Sequence, residues 1–265
     1  MPGFVERYGP WAVVAGASEG IGASFSRKLA ARGLNLILVA RRAAPLETLA
    51  AELRDQHGIE VRVQPLDLGS ADAVSSLGTA IEGLDVGLLI YNAAYSPIGR
   101  FIDVEVEEHL KAVAVNVQGP LRFSHYFGRR LAERGKGGII LMSSMSGYQG
   151  TAMVANYAAT KAYDTILAEG LWYELRGRGV DVLACIAGAT LTPSYESVTD
   201  DIPTRGPARP MDPDDVTEQA LHDLGRRPSR ISGLGNRLAY AFLHKILGRR
   251  ATIGIFSKET VRLYG

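Results

Sequence analysis

Trp11-Ala12-Val13-Val14-Ala15, followed by Gly16-Ala17-Ser18-Glu19-Gly20-Ile21-Gly22, is the stretch whose reading decides the fold. The first five residues read as a buried strand, and the glycines turn the chain into a helix that begins near Gly20 or Ile21. Glycine at these positions permits a tight turn and close backbone approach, and the free N–H groups of the helix start favour a pyrophosphate. Far downstream stands Tyr157-Ala158-Ala159-Thr160-Lys161, thirteen residues after Ser144. A tyrosine and a lysine four apart share one helix face, one turn from each other. The lysine charge favours the anionic phenol and draws its pKa down from about 10 toward neutrality. A phenol so tuned exchanges a proton with a carbonyl or alcohol oxygen near physiological pH. Together the two segments suggest proton transfer coupled to a nucleotide cofactor.

Outward from these segments, apolar runs alternate with helical patterns. Residues 11–15, 35–40, 60–64, 86–91, 138–142 and 180–186 read as strands, and 20–32, 43–57, 70–82, 105–132 and 153–177 as helices. Strands rich in Val, Ile and Leu with little alternation suit a parallel sheet covered on both faces. The alternation of strand and helix predicts a doubly wound α/β sheet of Rossmann type, with ligands at the carboxyl ends of the strands. After Thr192 the character changes: Pro193, Pro203, Pro207, Pro210 and Pro213 argue for a mobile or irregular segment over 193–213. Beyond it lie helices near 214–226 and 235–248, and a short seventh strand within 229–233. The whole chain of 265 residues reads as a single dinucleotide-binding domain with a C-terminal helical extension.

Composition narrows the function. A formal charge of +1, with no dominant basic stripe, gives no electrostatic case for nucleic acid. The five histidines lack ligand spacing, so no metal site is expected. Cys185 is the only cysteine; it sits in an apolar run and reads as a buried strand residue. With no intrachain disulfide possible, a reducing, cytoplasmic setting fits. The N-terminal residues lack a basic start followed by an apolar run, so no secretory signal is expected, and no apolar stretch reaches about 18 residues.

The end of the second strand selects the cofactor. A carboxylate there accepts from the adenosine 2′-hydroxyl of NAD. This chain instead reads Leu38-Val39-Ala40-Arg41-Arg42, with two guanidinium groups that attract a 2′-phosphate. The expected cofactor is therefore NADP(H).

The spacing Gly16-x-x-x-Gly20-x-Gly22, then Asp67, Asn92-Ala93, Asn116, Ser144, Tyr157, Lys161 and the stretch Gly188 to Thr192, follow the order found in the short-chain dehydrogenase/reductase family. Over roughly residues 10–195 the chain resembles that family, and among its members most resembles reductases of hydrophobic ketones and steroid dehydrogenases. The resemblance implies that Tyr157 is the general acid in reduction and that Lys161 tunes it and meets the nicotinamide ribose. Ser144 holds the substrate oxygen, and Asn116 anchors a water near the lysine. Ser143 is a rival for the serine role, but the spacing to Tyr157 favours Ser144. For the cofactor it implies Gly16, Ser18, Glu19, Gly20, Ile21 and Gly22 at the phosphates. Asp67 and Leu68 stand at the adenine, Asn92 and Ala93 beside the ribose, and Gly188, Thr190 and Thr192 at the carboxamide. Departures from the family pattern are Ala15 before the first glycine, Tyr91 and Ala94 around Asn92-Ala93, and Ala187 in place of proline.

Tyr95, Met145, Tyr148, Gln149, Met153 and Tyr195 flank the serine or lie after strand ends, and suit an apolar, adaptable ligand. The expected substrate is a hydrophobic ketone or its alcohol. The helices at 105–132 and 153–177 resemble those that pair family subunits, so a homodimer or homotetramer is expected, with Leu167, Leu171 and Trp172 as apolar surface. Leu238, Phe242 and Ile246 form one stripe with basic residues around it. That stripe packs against its own domain or a second subunit, with contact to a membrane surface or a cover over the substrate pocket as the less favoured alternatives. Two further functions stand beside the main one: NAD(H)-dependent alcohol oxidation, and a nucleotide-binding sensor or scaffold without turnover.

Overall fold

In a computed structural model, the described residues are 3–198, 202, 209–245 and 247–265. In chain order the elements are α1 (Phe4–Tyr8), β1 (Trp11–Ala15), α2 (Gly20–Ala30), β2 (Asn35–Ala40), α3 (Ala43–His57), β3 (Val61–Pro65), α4 (Ala73–Ala80) and β4 (Val86–Tyr91). They continue with α5 (Val106–Val113), a π-helical turn (Ala114–Gln118), α6 (Gly119–Arg134), β5 (Gly137–Ser144), a 3₁₀ turn (Met145–Tyr148) and α7 (Ala155–Leu175). A second 3₁₀ turn (Arg176–Arg178) leads to β6 (Val180–Ala187), α8 (Pro193–Glu196), α9 (Pro213–Asp223), β7 (Ser229–Ile231), α10 (Leu234–Lys245) and α11 (Arg249–Tyr264).

Seven strands form one parallel sheet in the order β3-β2-β1-β4-β5-β6-β7. Successive residues of each strand serve opposite faces. From β1, Ala12 and Val14 join Leu29, Leu46, Leu53 and Val216 of α2, α3 and α9. Trp11, Val13 and Ala15 join Leu77, Phe123, Phe127 and Ala168 of α4, α6 and α7 on the other face. Burial on both sides explains why the inner strands are largely apolar, whereas the edge strands β3 and β7 carry Arg62, Gln64, Ser229 and Arg230. Strand order reverses between β1 and β4, and the carboxyl ends of those two strands open the crevice that holds the site.

The helix expected over 105–132 is broken. Its middle widens into the π-helical turn, with the amide of Gly119 bonding to Ala114 O. The carbonyl of Val115 is met by the hydroxyl of Tyr91 at 2.7 Å. Gly119 makes this possible, since a side chain there would come within 1.9 Å of the Tyr91 oxygen. The break centres on Asn116, which is fully buried. Its amide nitrogen donates to Tyr95 O at 2.8 Å and Thr160 Oγ1 at 3.0 Å, and its oxygen accepts from Tyr95 N at 2.7 Å. An interruption of this kind commonly marks a functional position.

Other expectations are revised at their edges. Helix α11 lies beyond the two C-terminal helices expected from the sequence. Leu167, Leu171 and Trp172 pack partly buried against the core, and the outward apolar residues of α7 are Ile166 and Tyr173. Leu238 and Phe242 of α10 are exposed, so packing of that stripe on its own domain does not hold for them. Ile246, the third residue of the stripe, lies outside the described residues, as do 199–201 and 203–208 of the proline-rich segment. At the start of that segment the Thr192 hydroxyl caps α8 by accepting from Tyr195 N at 3.2 Å. Near its end Met211 bonds Ala189 and Leu191 through the backbone.

Tyr91→Phe is expected to destabilise the protein by about 0.5–1.5 kcal/mol, because it takes the hydrogen bond from the partly buried Val115 carbonyl. Urea unfolding followed by circular dichroism measures this. A midpoint equal to that of the unsubstituted protein would show that the hydroxyl does not support the π-helical turn.

Candidate active site

The glycine turn is fixed by contact. Gly16 has φ +85, and a side chain there would meet the Ala93 amide at 2.6 Å. A side chain on Gly22 would lie 1.9 Å from Gly16 O. That same oxygen accepts from Asn92 Nδ2 at 2.9 Å, which locks the turn to the end of β4. Gly20 (φ +55) faces Thr192 across the crevice, with room for no Cβ.

Around this turn opens a cleft of about 740 Å³. Of the residues expected at a cofactor, Gly16, Ser18, Glu19, Gly20, Ile21, Arg41, Arg42, Asp67, Leu68, Asn92, Ala93, Gly188, Thr190 and Thr192 line it, as do Tyr157 and Lys161. Gly22 is buried behind the turn. Arg42 is paired with Glu19 at 2.6 Å, on the surface of the mouth. Arg41 has no partner among the described residues and stands beside it, exposed.

At the other end of the cleft are Ser144 and Tyr157. Ser144 closes β5, and its Oγ accepts from Ser146 N at 3.3 Å and Ser146 Oγ at 2.9 Å. Ser143 is committed elsewhere: its hydroxyl donates to Lys161 O at 2.6 Å and accepts from Thr165 at 2.7 Å. Lys161, one turn along α7 from Tyr157, is buried, with its ammonium 5.8 Å from the Tyr157 ring centre. It donates to Met142 O at 2.8 Å and to Asp164 Oδ2 at 2.9 Å. Burial pulls this ammonium down, but the Asp164 carboxylate and Tyr157 outweigh it, so it stays above the usual lysine range.

The residues expected around a substrate divide. Tyr95, Ser144 and Tyr195 line the cleft. The Tyr95 hydroxyl bonds to Glu108, which lifts it above the usual phenol range, and Lys111 lies over its ring at 4.2 Å. Met145, Tyr148, Gln149 and Met153 do not line the cleft. Met145 and Tyr148 turn against the core from the 3₁₀ turn, and Tyr148 also stacks on Tyr240 of α10 at 4.2 Å. Gln149 is buried, and Met153 has φ +65 and holds Gly99 N through its carbonyl at 2.9 Å.

The lining is instead completed by Val154, Val198 and, from α11, Thr260, Leu263 and Tyr264. Burial raises the Tyr264 phenol, with Tyr157 and Tyr195 adding to the effect, which sets all three tyrosines around one space. Helix α11 is joined to the segment after the 3₁₀ turn by Thr151–Thr260 at 3.1 Å and by Ala152 N to Ser257 Oγ at 3.1 Å. A helical stripe, Thr252, Phe256, Thr260 and Leu263, is the signal in the sequence that marks this helix. Among the described residues no group of carboxylates, histidines and cysteine is arranged to hold a metal, and no helix is long and apolar enough to cross a membrane.

Comparison with known proteins agrees with this geometry. The profile of the short chain dehydrogenase family matches residues 10–203. The 7beta-hydroxysteroid dehydrogenase of Clostridium sardiniense is 36% identical over 234 residues, spanning 88% of this chain and 89% of that enzyme. A solved structure from a study of 7beta-hydroxysteroid dehydrogenase stereoselectivity superposes with a TM-score of 0.90 at 31% identity, over 96% of this chain and 99% of that one. A short-chain dehydrogenase from Sphingobium yanoikuyae, in complex with NADPH, gives a TM-score of 0.78 at 27% identity over 92% and 95% of the two chains. On the matching profile and on this identity across nearly its whole length, the chain belongs to the short-chain dehydrogenase family.

Proposed function

We propose that the protein is an NADP(H)-dependent oxidoreductase that interconverts a hydrophobic ketone, of the steroid class, with its secondary alcohol. The observation that carries this reading is the convergence of Ser144, Tyr157 and Lys161 on the cleft that begins at the glycine turn. The glycine contacts support cofactor binding, because only a bare backbone fits at Gly16 and Gly22 and brings the start of α2 to the crevice. Bound NADP(H) supplies the hydride. For reduction, Ser144 orients the carbonyl oxygen and Tyr157 donates the proton to it; for oxidation, the same phenol accepts the proton from the alcohol. Lys161 holds positive charge beside the phenol and so favours its ionised form.

The preference for the phosphorylated cofactor rests on Arg41 and Arg42 and on the lack of an acid at the end of β2. Arg41 is the stronger candidate, since Arg42 is already balanced by Glu19. The NADPH bound to the Sphingobium relative supports the same choice. For the substrate, the three tyrosines with Val198 and Leu263 make a wall that suits a rigid apolar body, and the hydroxysteroid dehydrogenase relatives point the same way. Segment 193–213 belongs to this reading as a substrate loop. So does a cytoplasmic location, which the single buried cysteine supports. We also propose assembly as a homodimer or homotetramer through α6 and α7, supported by exposed Leu121, Ile166 and Tyr173.

Tyr157→Phe is expected to abolish turnover of a 7β-hydroxysteroid with NADP⁺ while leaving NADPH binding, followed by fluorescence, nearly unchanged. A variant that retained a substantial part of the original rate would remove Tyr157 from its role. Arg41→Ala is expected to weaken NADPH by tenfold to a hundredfold, as loss of about 1.5–3 kcal/mol of charged pairing implies, and to spare NADH. Equal loss for both cofactors would refute a 2′-phosphate contact. Tyr264→Ala is expected to raise KM for the steroid several-fold with little change in NADPH affinity, in steady-state kinetics. Unchanged KM would exclude α11 from the substrate wall.

A further inference from the structure

Asp164 lies one turn beyond Lys161 on α7, and its side chain is buried. Carboxylates are rarely so buried without a purpose, because desolvation of the ion is costly unless it is fully paired. This one is half paired. Its Oδ2 accepts from the Lys161 ammonium at 2.9 Å, and its Oδ1 has no hydrogen-bond partner among the described residues. The Lys161 ammonium has three N–H groups. One goes to Asp164 and one to Met142 O at the end of β5, both in the seam between α7 and the sheet. One remains for the cleft, on the side of Tyr157.

We propose that Asp164 is a positioning residue for the reaction: its carboxylate anchors the Lys161 ammonium so that one N–H serves the cleft, and its charge sets the pH at which Tyr157 ionises. This inference rests on the reading of Tyr157 as acid and base. The surroundings of the pair are nearly neutral. From β4 the buried phenol of Tyr91 faces Asp164, with Asp67 acting on it from farther off, and from α7 itself Tyr163 does. From β5 and the π-helical turn come only uncharged groups, Ser143 and Asn116, which bond to Thr165 and Thr160 of α7. On the cleft side, Tyr264 of α11 faces Tyr157, with Tyr195 acting on Tyr264. Among the described residues no cation other than Lys161 offsets Asp164, so removing the carboxylate changes the local charge by a full unit.

The sign is set by electrostatics alone. So long as Lys161 keeps its proton, loss of a negative charge favours the phenolate, so Tyr157 loses its proton at lower pH when Asp164 is neutralised. Burial lifts the Asp164 carboxyl above the usual range despite the pull of Lys161, and a carboxyl already neutral at working pH would give no such change. The experiment therefore decides the charge state as well as the role.

The test tracks the titration of Tyr157 by carbon NMR of ring-labelled tyrosine, with the resonance assigned through its loss in Tyr157→Phe. In Asp164→Asn, which keeps an oxygen acceptor for Lys161, Tyr157 is expected to titrate about 0.5–1.5 pH units lower than in the unsubstituted protein. Asp164→Glu is expected to restore the original value. The pH profile of 7β-hydroxysteroid oxidation with NADP⁺ is expected to move to lower pH by the same interval. A Tyr157 titration that does not move in a folded Asp164→Asn protein would overturn the proposal, as would a rate lowered equally at all pH values. Turnover retained in Tyr157→Phe would instead sink the acid–base reading. The NMR shift needs no substrate, so the two failures are separate.

Discussion

Everything at the cleft depends on two missing side chains. The backbone at Gly16 passes so close to Ala93, and Gly22 so close to the Gly16 carbonyl, that a single methyl group at either would force β1, α2 and the end of β4 apart. This contact gives the crevice its floor. The hydrogen bond from Asn92 to Gly16 O then ties the turn to the strand beyond the reversal in sheet order. Because β1 and β4 are both buried on two faces, neither can shift to relieve a clash without opening the core. The position of the turn relative to Ser144, two strands along from β1, is thus fixed by packing rather than by any contact between the two.

Much of this was legible in the sequence because it repeats along the chain. Continuous apolar strands, glycine spacing and the Tyr157–Lys161 interval are local patterns, each open to a plain packing or surface reading alone and decided by their occurrence together in one chain. The strands over 11–15, 35–40 and 86–91 needed no revision, and Ser229 to Ile231 proved to be the short last strand. The features that escaped reading depend on contacts between distant residues. Within 105–132 only Pro120, which has no N–H to offer the carbonyls before it, hints at the π-helical turn, and the donor that replaces it on Val115 O comes from distant Tyr91. Met145 and Tyr148 stand next to Ser144 in sequence, yet the 3₁₀ turn carries them to the core. Helix α11 was obscured by Gly254 and by β-branched Thr252, Ile253, Ile255, Thr260 and Val261, which lower helix propensity and blur its stripe. Beside Ser144 the lining is made by Met142, Ser143 and Ser146, while Met145 and Tyr148 turn away and Tyr264, more than a hundred residues distant, borders the cleft.

The two ends of the cleft use charge differently. At the mouth, Arg41 and Arg42 are exposed and the Arg42–Glu19 pair is open to solvent, so these groups contribute through salt-sensitive attraction and little to folding. Beneath Tyr157, Lys161 and Asp164 are almost wholly buried, where the same kind of pairing is strong and breaking it is costly. Ion pairs of similar length, 2.6 and 2.9 Å, thus differ in kind because of what surrounds them.

Helix α11 carries one more consequence. It is held to the rest of the site by hydroxyl contacts at Thr151 and Ala152 and by partly buried side chains, whereas the glycine turn and the Lys161 seam are embedded in the sheet. Such a helix opens at a lower free energy than the body of the domain and exchanges its amide hydrogens by local unfolding. In the proposed oxidoreductase, discrimination between bulky and slim ligands is then the first property lost on warming, while the glycine turn and the Lys161 seam are still folded.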